Sequence, residues 1–447
     1  MGSFFADQML ESSMTDDLVR SNSRLHLESL PPEIRVQILL LLDVEGLKSL
    51  VQASPVYHEQ YLQDRKRLLL ACLSTTLGSI FFEACVVQET SSVGFSQTRN
   101  HDRIYEFFKS LAKRRSLTRH SDLTAGLTLD DAIDMVTFYR SVLKPFAWSY
   151  SAWALRNLAK EPEAAHNNID NPLSESEEHR IIRALYRFQL CGNVFGVGPN
   201  KDMLDLFEIQ FQLSDMEILM LLEDLYEPWE LEEINCVNVF AETKCREIHD
   251  AVTWDFSEKN PRFDDQERPP TPDGAVDIPR NPQIEHSKAY LIGTITQGLE
   301  LLQTIFFKVQ DHSDLVNIME RTLVLWVEEF LGADVFGAFS DMAQRERRAR
   351  APSERDKKEE RREPLPFRGD PLDDSDGAYP PLAWTLLWKG TYSNMLGSYI
   401  PNDFHMWGYV MWDAARLERT GAKEVLVREW NLMWGEDEDA RDEREFF

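Results

Sequence analysis

Three segments of this chain open with the same device: a hydroxyl residue, an acid three places on, and then apolar residues at helical intervals. They are Thr128-Leu129-Asp130-Asp131, Ser174-Glu175-Ser176-Glu177 and Ser214-Asp215-Met216-Glu217. In such a box the hydroxyl oxygen accepts a hydrogen bond from the third backbone N–H, and the acid accepts one from the hydroxyl residue's own N–H. Ile133, Val136, Tyr139 and Val142 or Leu143 follow the first box. Ile181, Leu185 and Phe188 follow the second, with Arg180, Arg183 and Arg187 expected along a polar side. The run ILMLL follows the third. Lys144-Pro145 is expected to end the first of these helices, and FAWSYSAWALRNLA supplies another with Trp148 and Trp153. After Glu227-Pro228-Trp229, Ile234, Val237 and Phe240 mark one more. Sustained period-two alternation is absent, which argues against a large amphipathic sheet. The expected fold class is mainly α.

The most legible stretch lies near the N-terminus. Pro31 and Pro32 suit the entrance of a helix, where a missing N–H costs little. Ile34, Ile38, Leu41 and Leu42 then fall on one side. Asp43 suits the cap of a second short helix bearing Leu47 and Leu50. Ser54-Pro55 reads as N-cap and first residue of a third, whose apolar surface runs through Val56, Tyr57, Tyr61, Leu62, Leu68 and Leu69.

The segment LPPEIRVQILLLLDVEGLKSLVQAS resembles the F-box family. The family's start is read in Leu30, Pro31 and Glu33, and its apolar helical positions in Ile34, Ile38, Leu42, Leu47 and Leu50. The resemblance implies a three-helix module that binds a Skp1-type adaptor, which joins a cullin ubiquitin ligase, while the following domain captures a target protein. It makes Pro31, Ile34, Ile38, Leu47 and Leu50 the candidate protein-binding residues. The stretch SPVYHEQYLQDRKRLL stands where the family has a basic, tryptophan-rich end. The whole chain also resembles a group of filamentous-fungal proteins with an F-box-like start and a helical remainder, through LSESEEHRIIRALYRFQL, YEPWELEEINC and WGYVMWD.

The expected organisation is a flexible N-terminus at 1–24, an F-box-like helical module at 25–75, a larger irregular helical domain at 76–435 and a solvated acidic tail at 436–447. Surface excursions are expected at 259–283, where six prolines fall, and at 340–378. Between Arg345 and Glu363 stand nine basic and six acidic residues, suited to a long exposed helix or a disordered insert.

Charge narrows the partners. With 48 Lys plus Arg against 76 Asp plus Glu, the formal net charge is −28. That field repels phosphate backbones and anionic membranes, so neither a nucleic acid nor a membrane is expected as partner. No run of about 18 apolar residues is seen, and the first residues lack the pattern of a signal peptide. The expected address is the cytoplasm or nucleus. The five Cys include no C-x-x-C pair and read as buried free thiols.

Catalytic motifs are sparse. Asp130, Asp131 and Asp134 form a DDxxD array like that with which class I terpenoid synthases hold Mg²⁺. Negative charge at a helix start is explanation enough for these residues. FGVGPNK lacks the phosphate-loop spacing and reads as a loop. His101 and His405 are weak catalytic clues. Phe404 to Trp412 suits a core stripe. No cofactor is expected. The functional expectation is a protein-interaction subunit that bridges a Skp1-type adaptor and a target. A non-ubiquitin scaffold and an all-α Mg²⁺ enzyme are the alternatives.

Overall fold

The computed structural model describes residues 27–117, 123–162, 164, 172–199, 213–256, 260, 284–326, 330–332, 335–337, 345–372, 378–436 and 438–443. Among them the fold is all-helical and contains no sheet; the one strand-like pairing is an isolated bridge between Pro364 and Thr391. The flexible start read at 1–24 and all but Asn260 of the excursion read at 259–283 lie outside the described residues. The chain divides into two compact units. The smaller comprises residues up to Leu77 together with Thr128–Ile133; the larger comprises Gly78–Leu127 and Asp134–Phe447.

In the smaller unit, four helices follow one another: α1 (Pro32–Leu40), α2 (Val44–Ala53), α3 (Pro55–Gln63) and α4 (Arg65–Leu77). Local chemistry sets each boundary. Pro31 precedes α1, and Pro32 is its first residue. The Asp43 carboxylate accepts from Gly46 N–H at 2.7 Å and opens α2. Ser54 Oγ accepts from Tyr57 N–H, and Pro55 follows it. The third helix expected from sequence is in fact two, because the chain breaks at Asp64. α1 packs on α3 and α4, and α2 on α3 and α4. Val44 N–H donates to Thr76 Oγ1 and Cys72 Sγ to the Leu39 carbonyl, tying α2 and α1 to α4.

The stretch Arg65–Thr90, 26 residues with mean hydropathy 1.8 over its most apolar window, is long and apolar enough to cross a membrane by length and composition. It is not an unbroken apolar run: Ser74, Thr75, Thr76, Gly78, Ser79 and Glu83 stand among its apolar residues. In the fold, 61% of that window is buried.

The larger unit holds α5 (Phe81–Thr90), α6 (His101–Leu117), the part of α7 (Leu129–Phe138) from Asp134 onward, a π-turn at Tyr139–Leu143 and α8 (Lys144–Leu158). Lys144-Pro145 therefore starts α8 and does not end a helix. A proline inside a helix leaves the carbonyl four residues back without its usual donor. Here that carbonyl belongs to Ser141, and the Gln303 side-chain amide donates to it. The π-turn directly before Pro145 further loosens the steric conflict.

α9 (Glu175–Phe195) is the centre of this unit. It packs against α5, α8 and α11 (Pro228–Val252) and buries nearly its whole length. α10 (Asp215–Glu223) precedes α11. All three capping boxes read from the sequence are formed, at Thr128/Asp131, Ser174/Glu177 and Ser214/Glu217. Glu227 and Glu230 pair in the same way ahead of α11. The remaining helices used below are α12 (Ile284–Ile295), α13 (Leu299–Gln303), α14 (His312–Thr322), α15 (Glu354–Glu360), α16 (Leu382–Leu387), α17 (Asn402–Trp407), α18 (Ala414–Thr420) and α19 (Ala422–Trp434).

One surface expectation fails here. The charged stretch 345–363 is neither a long exposed helix nor a bare insert. Asp356 and Glu359 are buried; Glu359 accepts from Ser393 Oγ and Asn394 N–H, and Asp356 from the Asn394 amide. In the tail, Glu436, Glu438 and Asp442 are exposed, while Arg441 donates to Thr391 Oγ1 and the Tyr392 carbonyl and lies over the Trp388 ring. All five cysteines are free and buried. A run of indoles, Trp229, Trp384, Trp388, Trp430 and Trp434, packs ring against ring with centroids 5.0–6.1 Å apart, and links α11, α16 and α19.

Candidate functional site

α1 carries Ile34, Val36, Ile38, Leu39 and Leu40 interleaved with Glu33, Arg35 and Gln37, and Leu41 and Leu42 follow. Only Leu39 is fully buried. Pro31 is exposed, Ile34 is 47% exposed, Ile38 is half-buried and Leu41 is 78% exposed. Positions 31, 34, 38 and 41 share one side of a helix by their three- and four-residue spacing. The open residues therefore form one stripe, opposite the side that Leu39 anchors. The N-terminal end of the stripe is held by side chains, not left to fray. Arg35 donates to the Glu28 carbonyl, Tyr57 OH to the Leu27 carbonyl, and Ser54 Oγ to the Glu28 carboxylate at 2.5 Å.

The five sequence candidates separate in the structure. Pro31, Ile34 and Ile38 lie on the stripe. Leu50 is half-buried on α2. Leu47 is 4% exposed and belongs to the core of the unit, so it presents no surface to a partner. Leu41, which the spacing puts on the side of Ile34 and Ile38, is not among the five candidates and is open as well. Leu47→Ala is expected to destabilise the fold by about 2–5 kcal/mol. Leu41→Ala is expected to change stability by less than about 0.5 kcal/mol. Urea unfolding of the two variants side by side checks the contrast.

The DDAID array does not assemble into a metal site. Asp130 and Asp134 are exposed, and Asp131 accepts from Thr128 N–H and Oγ1, both at 2.7 Å, as the box requires. Among the described residues, no group of three or more His, Cys, Asp or Glu side chains is placed to hold a metal ion. Of FGVGPNK, Phe195 ends α9 and Gly196 to Pro199 follow it, while positions 200 and 201 lie outside the described residues. The Arg99 guanidinium donates to the Asn193 and Gly196 carbonyls, and Gly198 N–H donates to the Thr296 carbonyl. Cation on carbonyl at a helix C-terminus is a stop signal, not a phosphate cradle.

The larger unit holds its charge inside. Arg180, Arg183 and Arg187, expected on a polar surface, are all buried. Arg187 lies 3.1 Å from Glu83 of α5 and 2.8 Å from Glu230 of α11. Arg183 makes two bonds to Glu233, at 2.6 and 3.0 Å. Arg115 of α6 lies 3.5 Å from Glu230, and Tyr226 presents its ring to Arg187. Three arginines thus meet three carboxylates, with no net charge left over. Burial would push the Glu230 carboxyl up, but Arg187, then Arg115 and Arg183, hold it down at about 2. A second tie joins α9 to α18, where Arg416 makes two 2.7 Å bonds to Glu177. A third is Glu232, which accepts from Gly397 N–H at 2.6 Å and Tyr409 OH at 3.1 Å, with His405 Nε2 2.6 Å away. Gly397 has φ +66°, and a Cβ there would collide with the Phe336 carbonyl, so only glycine lets that N–H reach Glu232.

His405, Glu232 and Tyr409 have the residue types of an acid–base centre, but all are sealed, with Glu232 at 0% exposure. A general base must come within hydrogen-bond reach of a substrate proton, and nothing from solvent reaches this one. The Phe404–Trp412 segment is core as well. A cleft of about 400 Å³ runs between the C-terminal half of α11 and Asn402 and Met406 of α17, with Glu242, Arg246, Glu247 and Asp250 on its wall. Its charges are mixed, and none is a buried, unpaired group that selects a ligand. The arrangement best suited to recognition is the open apolar stripe of α1.

No family model, curated protein or solved structure matches the chain.

Proposed function

We propose that this chain is a protein-interaction subunit whose α1 stripe docks a partner protein, and that the partner is a Skp1-type adaptor of a cullin ubiquitin ligase. The observation that carries the reading is the exposure of Ile34 in α1 and of Leu41 at its C-terminal end, on one side. Covering apolar surface is the main driving force of protein association. Burying the open parts of Pro31, Ile34, Ile38 and Leu41 is worth about 2–4 kcal/mol at about 25 cal/mol per Å². That is enough for the stripe to be the anchor of a larger interface. The resemblance of LPPEIRVQILLLLDVEGLKSLVQAS to the F-box family supports the choice of adaptor. In this reading the larger unit holds a target protein, and the subunit acts by raising the effective concentration of one partner near another, with no chemistry of its own.

The experiment is co-purification of the full chain with a Skp1-type protein. A stable complex supports the proposal. A folded chain that binds a different partner through Ile34 and Ile38, and never the adaptor, would leave a scaffold outside ubiquitin transfer. A folded chain whose stripe substitutions alter no interaction would remove the docking role altogether.

A further inference from the structure

Nine of the eleven tryptophans are buried, but Trp148 is 72% exposed in the first half of α8. An indole left in water adds nothing to the core. It is also among the side chains most enriched at the energetic centres of protein interfaces. Its neighbours leave it clear. Lys144, Trp148, Ala152 and Arg156 form one row of α8 at four-residue spacing. Pro145 is exposed, Ser149 and Ala152 are half-buried, and none of these short side chains can cover an indole.

The local charge is opposite to that of the chain. The net charge is −28, yet no acidic residue stands between Asp134 and Glu161, where Arg140, Lys144, Arg156 and Lys160 fall. Arg156 is exposed, and its Nε donates to the Ala152 carbonyl at 2.9 Å. That bond holds the arm against the helix and leaves both terminal nitrogens without a partner among the described residues. Lys144 Nζ lies 3.7 Å from Glu178, and both side chains are about 40% exposed. An exposed pair of this kind is worth little and can be exchanged for another carboxylate. A cation near the C-terminus of α8 suits the helix dipole, but the dipole asks for no indole two turns earlier. At about 0.15 M salt, charges beyond about 8 Å are largely screened. The cations beside Trp148 therefore outweigh the distant acids.

We propose that this row holds an acidic peptide segment of the target protein, with one apolar side chain on the Trp148 indole and carboxylates at Arg156 and Lys144. This rests on the reading that the larger unit captures a target, and it supplies the chemical class of what is captured. At about 1.5 Å of rise per residue, Arg156 stands about 12 Å from Trp148 along the axis and Lys144 about 6 Å the other way. An extended segment advances about 3.3 Å per residue. It therefore needs one acid about four residues to one side of its apolar anchor and another about two residues to the other side. The indole supplies affinity, and the two cations set orientation and approach.

The test is selection of a displayed random peptide library on the full chain, followed by fluorescence anisotropy with a labelled synthetic copy of the enriched sequence. Enriched peptides are expected to carry acids at those spacings around one apolar residue. Trp148→Ala is expected to weaken binding at least about tenfold, and Arg156→Glu about tenfold. Binding to the wild type is expected to weaken as salt rises. Both residues are exposed, so each variant is expected to keep the wild-type circular dichroism. Trp148→Ala is also expected to keep a Skp1-type protein bound, and the Ile34→Asp, Ile38→Asp double variant to keep the peptide. Each reading can therefore fail without the other. Absence of acidic enrichment, or a peptide that binds Trp148→Ala as it binds the wild type, overturns the proposal. So does capture of phosphatidylserine vesicles or of a DNA oligonucleotide through Trp148 in place of any peptide.

Discussion

Arg187→Met is expected to cost the larger unit about 3–5 kcal/mol, the usual penalty for removing one partner of a buried ion pair. Domains of this kind are stable by about 5–15 kcal/mol in total. Arg187 is 1% exposed and stands between Glu83 and Glu230. Without it, Glu83 loses its guanidinium partner in a dry space, and Glu230 keeps only Arg115 at 3.5 Å and Arg183 at 3.9 Å. The loss comes from stranding the acids, not from the value of the pairs themselves. Replacing Glu83, Arg187 and Glu230 together with apolar residues of similar size is therefore expected to cost far less than Arg187→Met. Urea midpoints of the single and triple variants decide between these. A pH series adds a second signature. Glu230 is held down at about 2, below its unfolded value of about 4.3. A carboxylate depressed on folding stabilises above its unfolded pKa and loses that contribution as pH falls through the folded one. The wild-type midpoint is thus expected to drop between about pH 4.3 and about pH 2, and the drop to shrink in Arg187→Met, where the largest favourable charge is gone.

The second large effect belongs to the stripe. Ile34→Asp combined with Ile38→Asp is expected to weaken adaptor binding at least about 100-fold, equivalent to about 2.7 kcal/mol. Two carboxylates would have to be desolvated in an apolar contact, which costs more than the lost burial alone. Ile34 is open and Ile38 half-open, so the unit keeps Leu39, Val44, Leu47 and Tyr57 as its core. The double variant is expected to keep its helical circular dichroism while losing the complex. Leu47→Asp makes the instructive contrast: it would lose the complex by losing the fold.

What the sequence shows most clearly is whatever is set within a turn or two of chain. The boxes at Thr128, Ser174 and Ser214, the Asp43 cap and the Ser54-Pro55 start are local, and each is where the residues put it. Errors arise where a distant residue decides. Arg183 and Arg187 read as a wet face because periodicity separates polar from apolar but is blind to Glu83, Glu230 and Glu233 arriving from elsewhere. Pro145 reads as a stop because the donor that serves Ser141 is Gln303. The 345–363 stretch reads as solvated because the partners of Asp356 and Glu359 stand at 393–394. For the candidate site the limit is different. Periodicity puts Ile34, Ile38 and Leu41 on one side but does not say whether that side faces the core or the solvent. Only packing shows that Ile34 and Leu41 are open and Leu47 is not.

The claim that α1 presents its stripe to an adaptor is tested most directly by hydrogen–deuterium exchange on the full chain, with and without a Skp1-type protein. Slowed exchange centred on residues 31–41 in the complex, and absent in the Ile34→Asp, Ile38→Asp double variant, is the predicted result. A complex that forms while exchange at 31–41 stays the same would contradict it.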